Sequence, residues 1–420
     1  MEAHKQLTIG LFGFGVVGEG LYKVLQQTPS LKATIKKVCI KDAGKKRNAP
    51  ASLFTTDKNE LLNDEEINVI VEVINESEPA FEIVSTALLN GKQVVSASKK
   101  MIAAHLPELL DLQLKTGQSF LYEAAACASI PVIRNLEEYY DNDLLHSIQA
   151  IVNGSTNFIL TKMFEDHLDF KNALLLAQQQ GFAESDPKLD VEGYDAVNKW
   201  SFLLTHAYGI LVHPDNILFN GIQNIRLSDA LVAKEKGYDI KLVAQAKKLK
   251  NGGIATFLLP QFVNHDEHLA FVKNEYNGVV IESSFADKQF FYGKGAGSFP
   301  TASAVLSDLS ALRYQYKYEY KKLYHHKPNK LTDDFYLKVF VSFENWDHIP
   351  KEKFEWIEEW HAQKERKYLV GVIAYSALKN EDWWRQENNS LVLFPSPITE
   401  EIEVRKLKKR SLELAGVLTS

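Results

Sequence analysis

Asp195 and Lys199 lie four residues apart in GYDAVNKWSFLLTHAY, and the stretch before them, GFAESDPKLDVEGYD, crowds Glu184, Asp186, Asp190 and Asp195 together. A lysine ammonium held near an apolar surface can steady a developing oxygen anion and then donate a proton to it. Helix periodicity from Asp195 puts Val197, Trp200, Leu204 and Ala207 on one apolar stripe. Lys199 falls at the rim of that stripe, one turn after Asp195 and one turn before Leu203. Burial there would lower the lysine pKa, and Asp195 would raise it again. The same spacing also suits an exposed ion pair worth only ~0.3–0.5 kcal/mol, so spacing alone leaves both readings open. Pro187 and Gly193 interrupt any helix between the upstream carboxylates, which favours a shaped loop; Asp186 reads as a cap or turn.

A second group of residues reads as a phosphate cradle. In LTIGLFGFGVVGEGLYKVL, Gly13, Gly15 and Gly18 follow a short apolar run and open an apolar helical pattern through Val16, Val17, Leu21 and Leu25. One glycine makes the tight turn, one lets a pyrophosphate approach the backbone, and one lets helix pack on strand. The helix N-terminus then offers its first amides to phosphate. The second apolar run ends in Lys41-Asp42-Ala43-Gly44-Lys45-Lys46-Arg47. Asp42 could accept the ribose hydroxyls of NAD, whereas Lys41, Lys45 and Arg47 could pair with a 2′-phosphate, and the reading leans to NADP.

These residues need a scaffold. Strands are expected at 7–12, 35–40, 67–74, 92–97 and 119–125, with helices between them such as 79–91, closing on Gly91. Strand–helix alternation implies a parallel, Rossmann-type sheet with ligands at the carboxyl ends of its strands. The chain has 420 residues, 45% hydrophobic and 24% charged, and a net charge of −6. That length suggests two or three domains, and that charge gives no basic stripe for nucleic acid or an anionic membrane. Two cysteines, Cys39 and Cys127, make no disulfide framework, and with no signal-like start the expectation is a cytoplasmic protein.

Five segments in order resemble the homoserine dehydrogenase family: VVSASKK (94–100), YEAAACASIPVI (122–133), AIVNGSTNFILTKM (150–163), AQQQGFAESDPKLDVEGYDAVNK (177–199) and YGKGAGSFPTASAVLSD (292–308). The resemblance implies reversible NAD(P)H-dependent reduction of L-aspartate 4-semialdehyde to L-homoserine, within threonine and methionine biosynthesis. It implies Lys199 as proton donor, Lys99 as a second catalytic lysine, and Glu184, Asp190 and Asp195 as ligands of the substrate's amino and hydroxyl groups. It implies cofactor contacts at Gly13, Gly15, Val16, Val17, Gly18, Ser98, Lys99, Gly181 and Gly297, beside the candidate Lys41. A sodium-like cation is implied at Glu123 and the carbonyls of Ala126, Ala128 and Ile130, since a hard cation suits oxygen ligands. This sequence departs from the family at Ser98, at Cys127-Ala128-Ser129 and at Asn75-Glu76.

The expected organisation is a Rossmann domain over 1–130, completed by about 300–322, and an α+β catalytic and dimerisation domain over 131–299. A small C-terminal α+β region over 330–420 follows, whose expected β-α-β order resembles a degenerate ACT domain. Within it, 335–343 reads as a strand, 352–363 as an amphipathic helix, 368–378 as a strand, 379–389 as an exposed loop and 402–410 as a basic edge. Trp356, Trp360, Trp383 and Trp384 read as a satellite core or an interface cover. A monofunctional homodimeric enzyme is expected, acting on a small molecule, with no nucleic-acid or membrane partner. Two alternatives stand beside it. Cys127 could serve an aspartate-semialdehyde dehydrogenase as nucleophile, although its alanine-rich surroundings suit a small buried residue. Alternatively, the chain is a nucleotide-binding sensor without catalysis.

Overall fold

The computed structural model describes residues 6–142, 144–324, 327–363, 366–400 and 404. Two compact units divide the chain: residues 1–143, 198–214 and 291–328 form the first, and 144–197, 215–290 and 329–420 the second.

The first unit is built on six parallel strands: β1 (Leu7–Phe12), β2 (Ala33–Cys39), β3 (Phe54–Thr55), β4 (Val69–Glu72), β5 (Gln93–Ser96) and β6 (Phe120–Leu121). Their order is β3-β2-β1-β4-β5-β6, so the chain winds outward one way from β1 and then the other way from β4. The carboxyl ends of β1 and β4 therefore flank the crevice where such sheets bind ligands. β1 and β4 are apolar and almost wholly buried, because helices cover both faces of a parallel sheet. The helix Ser77–Leu89 ends at Asn90 with Gly91 in the left-handed region beyond it. The helix Lys99–Thr116 bends at His105, just before Pro107, whose ring removes an amide from the ladder.

The strands expected over 35–40, 67–74 and 92–97 are Ala33–Cys39, Val69–Glu72 and Gln93–Ser96, and β3 was not expected. Residues 119–125 are not one strand: β6 stops at Leu121, and Glu123–Ala126 turns into a short helix. The alanine run has strong helix preference and follows the sheet's last strand, so nothing extends it as a ladder.

The second unit holds a nine-stranded mixed sheet. Its strands are β7 (Leu145–Ile151), β8 (Tyr238–Lys248), β9 (Ile254–Asn264), β10 (Tyr276–Ser283), β11 (Asp287–Lys294), β12 (Tyr336–Phe343), β13 (Phe354–Gln363), β14 (Arg366–Ala374) and β15 (Asn389–Thr399). The order is β11-β10-β7-β8-β9-β15-β12-β14-β13; from β10 to β13 the neighbours pair antiparallel except β9 with β15, which are parallel. The last quarter of the chain thus extends the same sheet. Phe257, Leu337, Val339, Leu369, Leu391 and Trp384 share one core there.

Two expectations for this quarter fail. The amphipathic helix over 352–363 is the edge strand β13, so the ACT-like β-α-β order is replaced by consecutive antiparallel strands. Its register shifts between Phe354 and Trp356 and again between Ile357 and Glu359. Each bulge breaks the period of two and leaves an apolar spacing that imitates a helix. The loop at 379–389 is not exposed throughout: Trp383 and Trp384 are buried, and the Trp384 indole N–H donates to the carbonyls of Leu378 and Glu381 at 3.0 and 2.9 Å. Trp360, in contrast, stands exposed on β13. The basic edge expected at 402–410 lies outside the described residues except for Val404.

Candidate active site

The glycine loop follows β1 directly. Gly13 has φ 96°, and a side chain there would meet the Val73 carbonyl at 2.9 Å; at Gly18 it would lie 2.3 Å from the Gly13 carbonyl. Both positions therefore exclude a side chain on steric grounds. Gly15 differs: no atom lies within 4 Å of where its Cβ would stand. It is the N-cap of the helix Val16–Gln27 and brings no side chain to cap it. A helix N-terminus left in this state fits a pyrophosphate group. Gly297, with φ 115°, caps the helix Ser298–Leu312, whose Ser298 hydroxyl donates to the Val16 carbonyl at 2.8 Å. The late return of the chain thus braces the loop.

Around the end of β2, Lys41 is exposed and paired with Glu76 at 2.8 Å. Asp42 accepts the Gly44 amide at 2.8 Å in a local turn. Lys45 and Arg47 line a cleft of about 420 Å³ with Ile40, Phe54 and Thr55.

Ser98 is buried and precedes the helix Lys99–Thr116, which places half-buried Lys99 at its first position. Lys199 is 6% exposed within the helix Tyr194–Tyr208, deeper than the rim position its spacing implies. Val197, Trp200, Leu204 and Ala207 are buried as the stripe requires. Further along that helix, buried His206 bonds Glu137 at 2.6 Å and the Tyr122 hydroxyl at 2.7 Å, and its carbonyl accepts from Lys322 at 2.7 Å. These bonds fix the helix among three distant segments of the first unit.

The second unit gathers the acidic residues. The Asn153 amide donates to Asp190 at 2.7 Å and to Asp195 at 2.9 Å. Its carbonyl oxygen accepts the Thr156 amide at 2.9 Å and so caps the helix Gly154–Glu165. Asp195 is 6% exposed and Asp190 half-buried. Glu184 and Gly181 are exposed on the preceding loop, and Asp186 accepts the Lys188 amide, the local turn expected of it. Asn153 was not singled out in the sequence, although an asparagine just before a helical pattern is a visible cap signal.

Glu123 is buried. Its carboxylate oxygens accept the amides of Ile133 and Arg134 at 2.8 and 3.0 Å, and burial raises its pKa. Its own amide donates to Asp308, which pairs with Arg134 at 3.0 Å. Burial, and then the Glu123 charge, push the Asp308 pKa up to about 7. Ala128 has φ 44°, a left-handed conformation, and the Ile130 carbonyl already accepts the Val132 amide. Cys127 is fully buried, as a structural residue should be and an attacking thiolate is not.

A glycine-rich loop at the switch point of a parallel sheet, as in the first unit, is the arrangement of a dinucleotide-dependent oxidoreductase domain. Residues 13–123 match the model of the homoserine dehydrogenase NAD binding domain, and residues 131–310 match that of homoserine dehydrogenase. The chain is 36% identical over 317 residues to homoserine dehydrogenase of Bacillus subtilis, covering 73% of each. A homoserine dehydrogenase structure from Thiobacillus denitrificans superposes with TM-score 0.81 at 26% identity, covering 93% of this chain and 98% of that one. A hyperthermophilic archaeal homoserine dehydrogenase in complex with NADPH gives TM-score 0.64 at 26% identity, covering 75% and 99%. The chain belongs to the homoserine dehydrogenase family, NAD(P)-dependent oxidoreductases acting on a CH–OH group. Neither the semialdehyde dehydrogenase nor the non-catalytic sensor is supported. Among the described residues no helix is long and apolar enough to cross a membrane.

Proposed function

We propose that this chain interconverts L-homoserine and L-aspartate 4-semialdehyde with Lys199 as proton donor. The carrying observation is the burial of Lys199 on the helix that begins with the Asn153-bridged carboxylate Asp195. Bound NAD(P)H supplies the hydride to the aldehyde carbon. The Lys199 ammonium stabilises the alkoxide as it forms and then protonates it; in oxidation the lysine takes the hydroxyl proton. Lys99 adds a second positive charge toward the same oxygen. Asp190, Asp195 and Glu184 take the substrate ammonium and hydroxyl. Asn153 keeps the first two carboxylates at a fixed separation.

The dinucleotide is assigned to Gly13, Gly15, Val16, Val17 and Gly18, with Ser98, Lys99, Gly181 and Gly297 toward the nicotinamide. NADP is favoured by the cations Lys41, Lys45 and Arg47 after β2, two of which line the adjoining cleft. The archaeal relative in complex with NADPH is consistent with this choice. Residues 1–130 with the later return form the nucleotide-binding domain, and the middle of the chain the catalytic and dimerisation domain. A homodimer acting in the cytoplasm on this small molecule completes the reading. A sodium-like ion at Glu123, Ala126, Ala128 and Ile130 is supported by the buried carboxylate and tight turn. Several of those oxygens already accept amides, so no step is assigned to the ion.

Steady-state homoserine oxidation with NAD and NADP side by side, on wild type and Lys199→Ala, tests the reading. Turnover in the variant should fall by a factor of about 10²–10⁴. A near-normal kcat would remove Lys199 as the donor. Cys127→Ser should leave turnover largely intact.

A further inference from the structure

Glu72, the last residue of β4, is 0% exposed. A carboxyl at that depth needs a reason, because the strand's other residues, Val69, Ile70 and Val71, make an apolar core without one. Its two oxygens divide between two loops. Oε1 accepts the amide of Ile74 at 2.7 Å, just after β4. Oε2 accepts the hydroxyl of Ser96, the last residue of β5, at 2.5 Å. The Ser96 oxygen in turn accepts the backbone amide of Ser98 at 3.1 Å.

Those partners belong to the two loops that leave the carboxyl ends of β4 and β5. Val73 and Ile74 close against Gly13 in the phosphate loop. Ser98 is the N-cap of the helix that starts at Lys99, and its own side chain makes no capping bond. The Ser98 carbonyl accepts the Ile102 amide at 3.0 Å and so begins the helix ladder. The loop's orientation is therefore set from behind, by the chain Glu72–Ser96–Ser98, together with the bond from the Ala97 amide to the Glu72 carbonyl at 3.0 Å.

We infer that Glu72 is a positioning residue for the reaction: through the Ser96 hydroxyl it holds the Ser98 amide and so fixes where the helix that opens with Lys99 begins. The inference rests on the reading of Lys99 as a residue of the active site. Burial pushes the Glu72 pKa up to about 7, against the opposing effects of the Ser96 and Ile74 bonds, which agrees with a carboxyl retained for its contacts. Replacing the acid by its amide keeps the volume but puts an NH₂ where one acceptor stood. With the amide oxygen kept on the Ile74 amide, the NH₂ faces Ser96, whose hydroxyl must turn from donor to acceptor; its oxygen then takes two donors and its own proton has no acceptor.

The experiment uses the full chain carrying Glu72→Gln, Ser96→Ala, both together, and Lys99→Ala. It measures kcat for homoserine, KM for homoserine and NADP, and the thermal midpoint. A displacement of Lys99 by less than an ångström should lower kcat about 10- to 100-fold in Glu72→Gln. Ser96→Ala should lose a similar factor, and the double variant no more than Glu72→Gln alone, since both cut one chain. KM for NADP should stay within about twofold in Ser96→Ala, which leaves the Glu72–Ile74 bond behind the glycine loop in place. Wild-type kcat in Glu72→Gln, or losses that multiply in the double variant, would overturn the positioning role. So would a loss confined to KM for NADP. Should Glu72→Gln fail to fold, Ser96→Ala decides: an unchanged kcat there refutes the role, and a loss in kcat with KM for NADP preserved supports it. Wild-type turnover in Lys99→Ala would overturn the reading of Lys99 itself, and this proposal with it. Lost turnover in Lys99→Ala beside an unaffected Glu72→Gln would overturn the positioning alone.

Discussion

Asn153→Ala should be among the most damaging single changes in the second unit, for two reasons that can be separated. The side chain caps the helix Gly154–Glu165 through the Thr156 amide, a contribution of about 1 kcal/mol. Its NH₂ group also donates to Asp190 and Asp195, and hydrogen bonds to charged groups contribute about 1.5–3 kcal/mol each. Asp190 is half-buried, so water repays part of that loss, and the sum comes to about 3–4 kcal/mol. Asn153→Asp keeps the capping oxygen but turns the bridging donor into a third carboxyl, 2.7–2.9 Å from the two present. At that separation two charges repel by roughly 6 kcal/mol at an effective dielectric of 20. The new carboxyl would therefore hold its proton, with a folded-state pKa raised above the unfolded value. Its stability contribution is present at low pH and lost as pH rises through the raised pKa. A protonated carboxyl has one donor where the amide had two. Urea unfolding at pH 5.5 and 8 should therefore show Asn153→Asp between wild type and Asn153→Ala at the lower pH and far weaker at the higher. Asn153→Ala should be weak at both. KM for homoserine should rise in the same order. A loss below about 1 kcal/mol in Asn153→Ala, or a pH-independent loss in Asn153→Asp, would refute the bridge.

Ala128→Gly should stabilise the chain by about 0.5–1 kcal/mol, because Ala128 holds φ 44°, which glycine adopts without the Cβ clash. A midpoint unchanged or lowered in thermal unfolding would contradict this. Asp308 and Glu72 each have a pKa raised by burial to about 7, from 3.8 and 4.5. Folding therefore takes up protons, so this part of the stability is complete below about pH 4 and falls as pH rises toward about 7. The slope is up to about 1.4 kcal/mol per pH unit for each group. Asp308→Asn should reduce the slope between pH 5 and 7 while lowering stability overall through the lost Arg134 ion pair. A slope equal to wild type in that variant would show that Asp308 does not titrate there.

Much of the first unit was legible in the sequence. The strand, glycine loop and helix at 7–25 are local: each glycine's role follows from its spacing, and the structure gives Gly13 and Gly18 contacts that exclude a side chain. The helix carrying Lys199 was legible too, since a 3.6-residue stripe needs no knowledge of its partner. The last quarter was not. In β13 two bulges erase the alternation that marks a strand, and pairing with β14 overrides the helical spacing of Trp356 and Trp360. Trp384 reads both as part of an exposed loop, because its neighbours are charged, and as part of a satellite core; the second reading holds, since it packs with residues of β12 and β15.

Periodicity, glycine spacing and turn chemistry act over a few residues, so the sequence by itself determined the parallel sheet, the phosphate loop and the buried stripe behind Lys199. The tertiary structure alone decided which distant groups share a hydrogen bond. Asn153 meets Asp190 and Asp195 across some forty residues, and Glu72 reaches Ser96 only because β4 lies beside β5. A single buried polar side chain has no period and no neighbour in sequence to announce its partner. Its role exists only once the chain has brought both ends of the bond together.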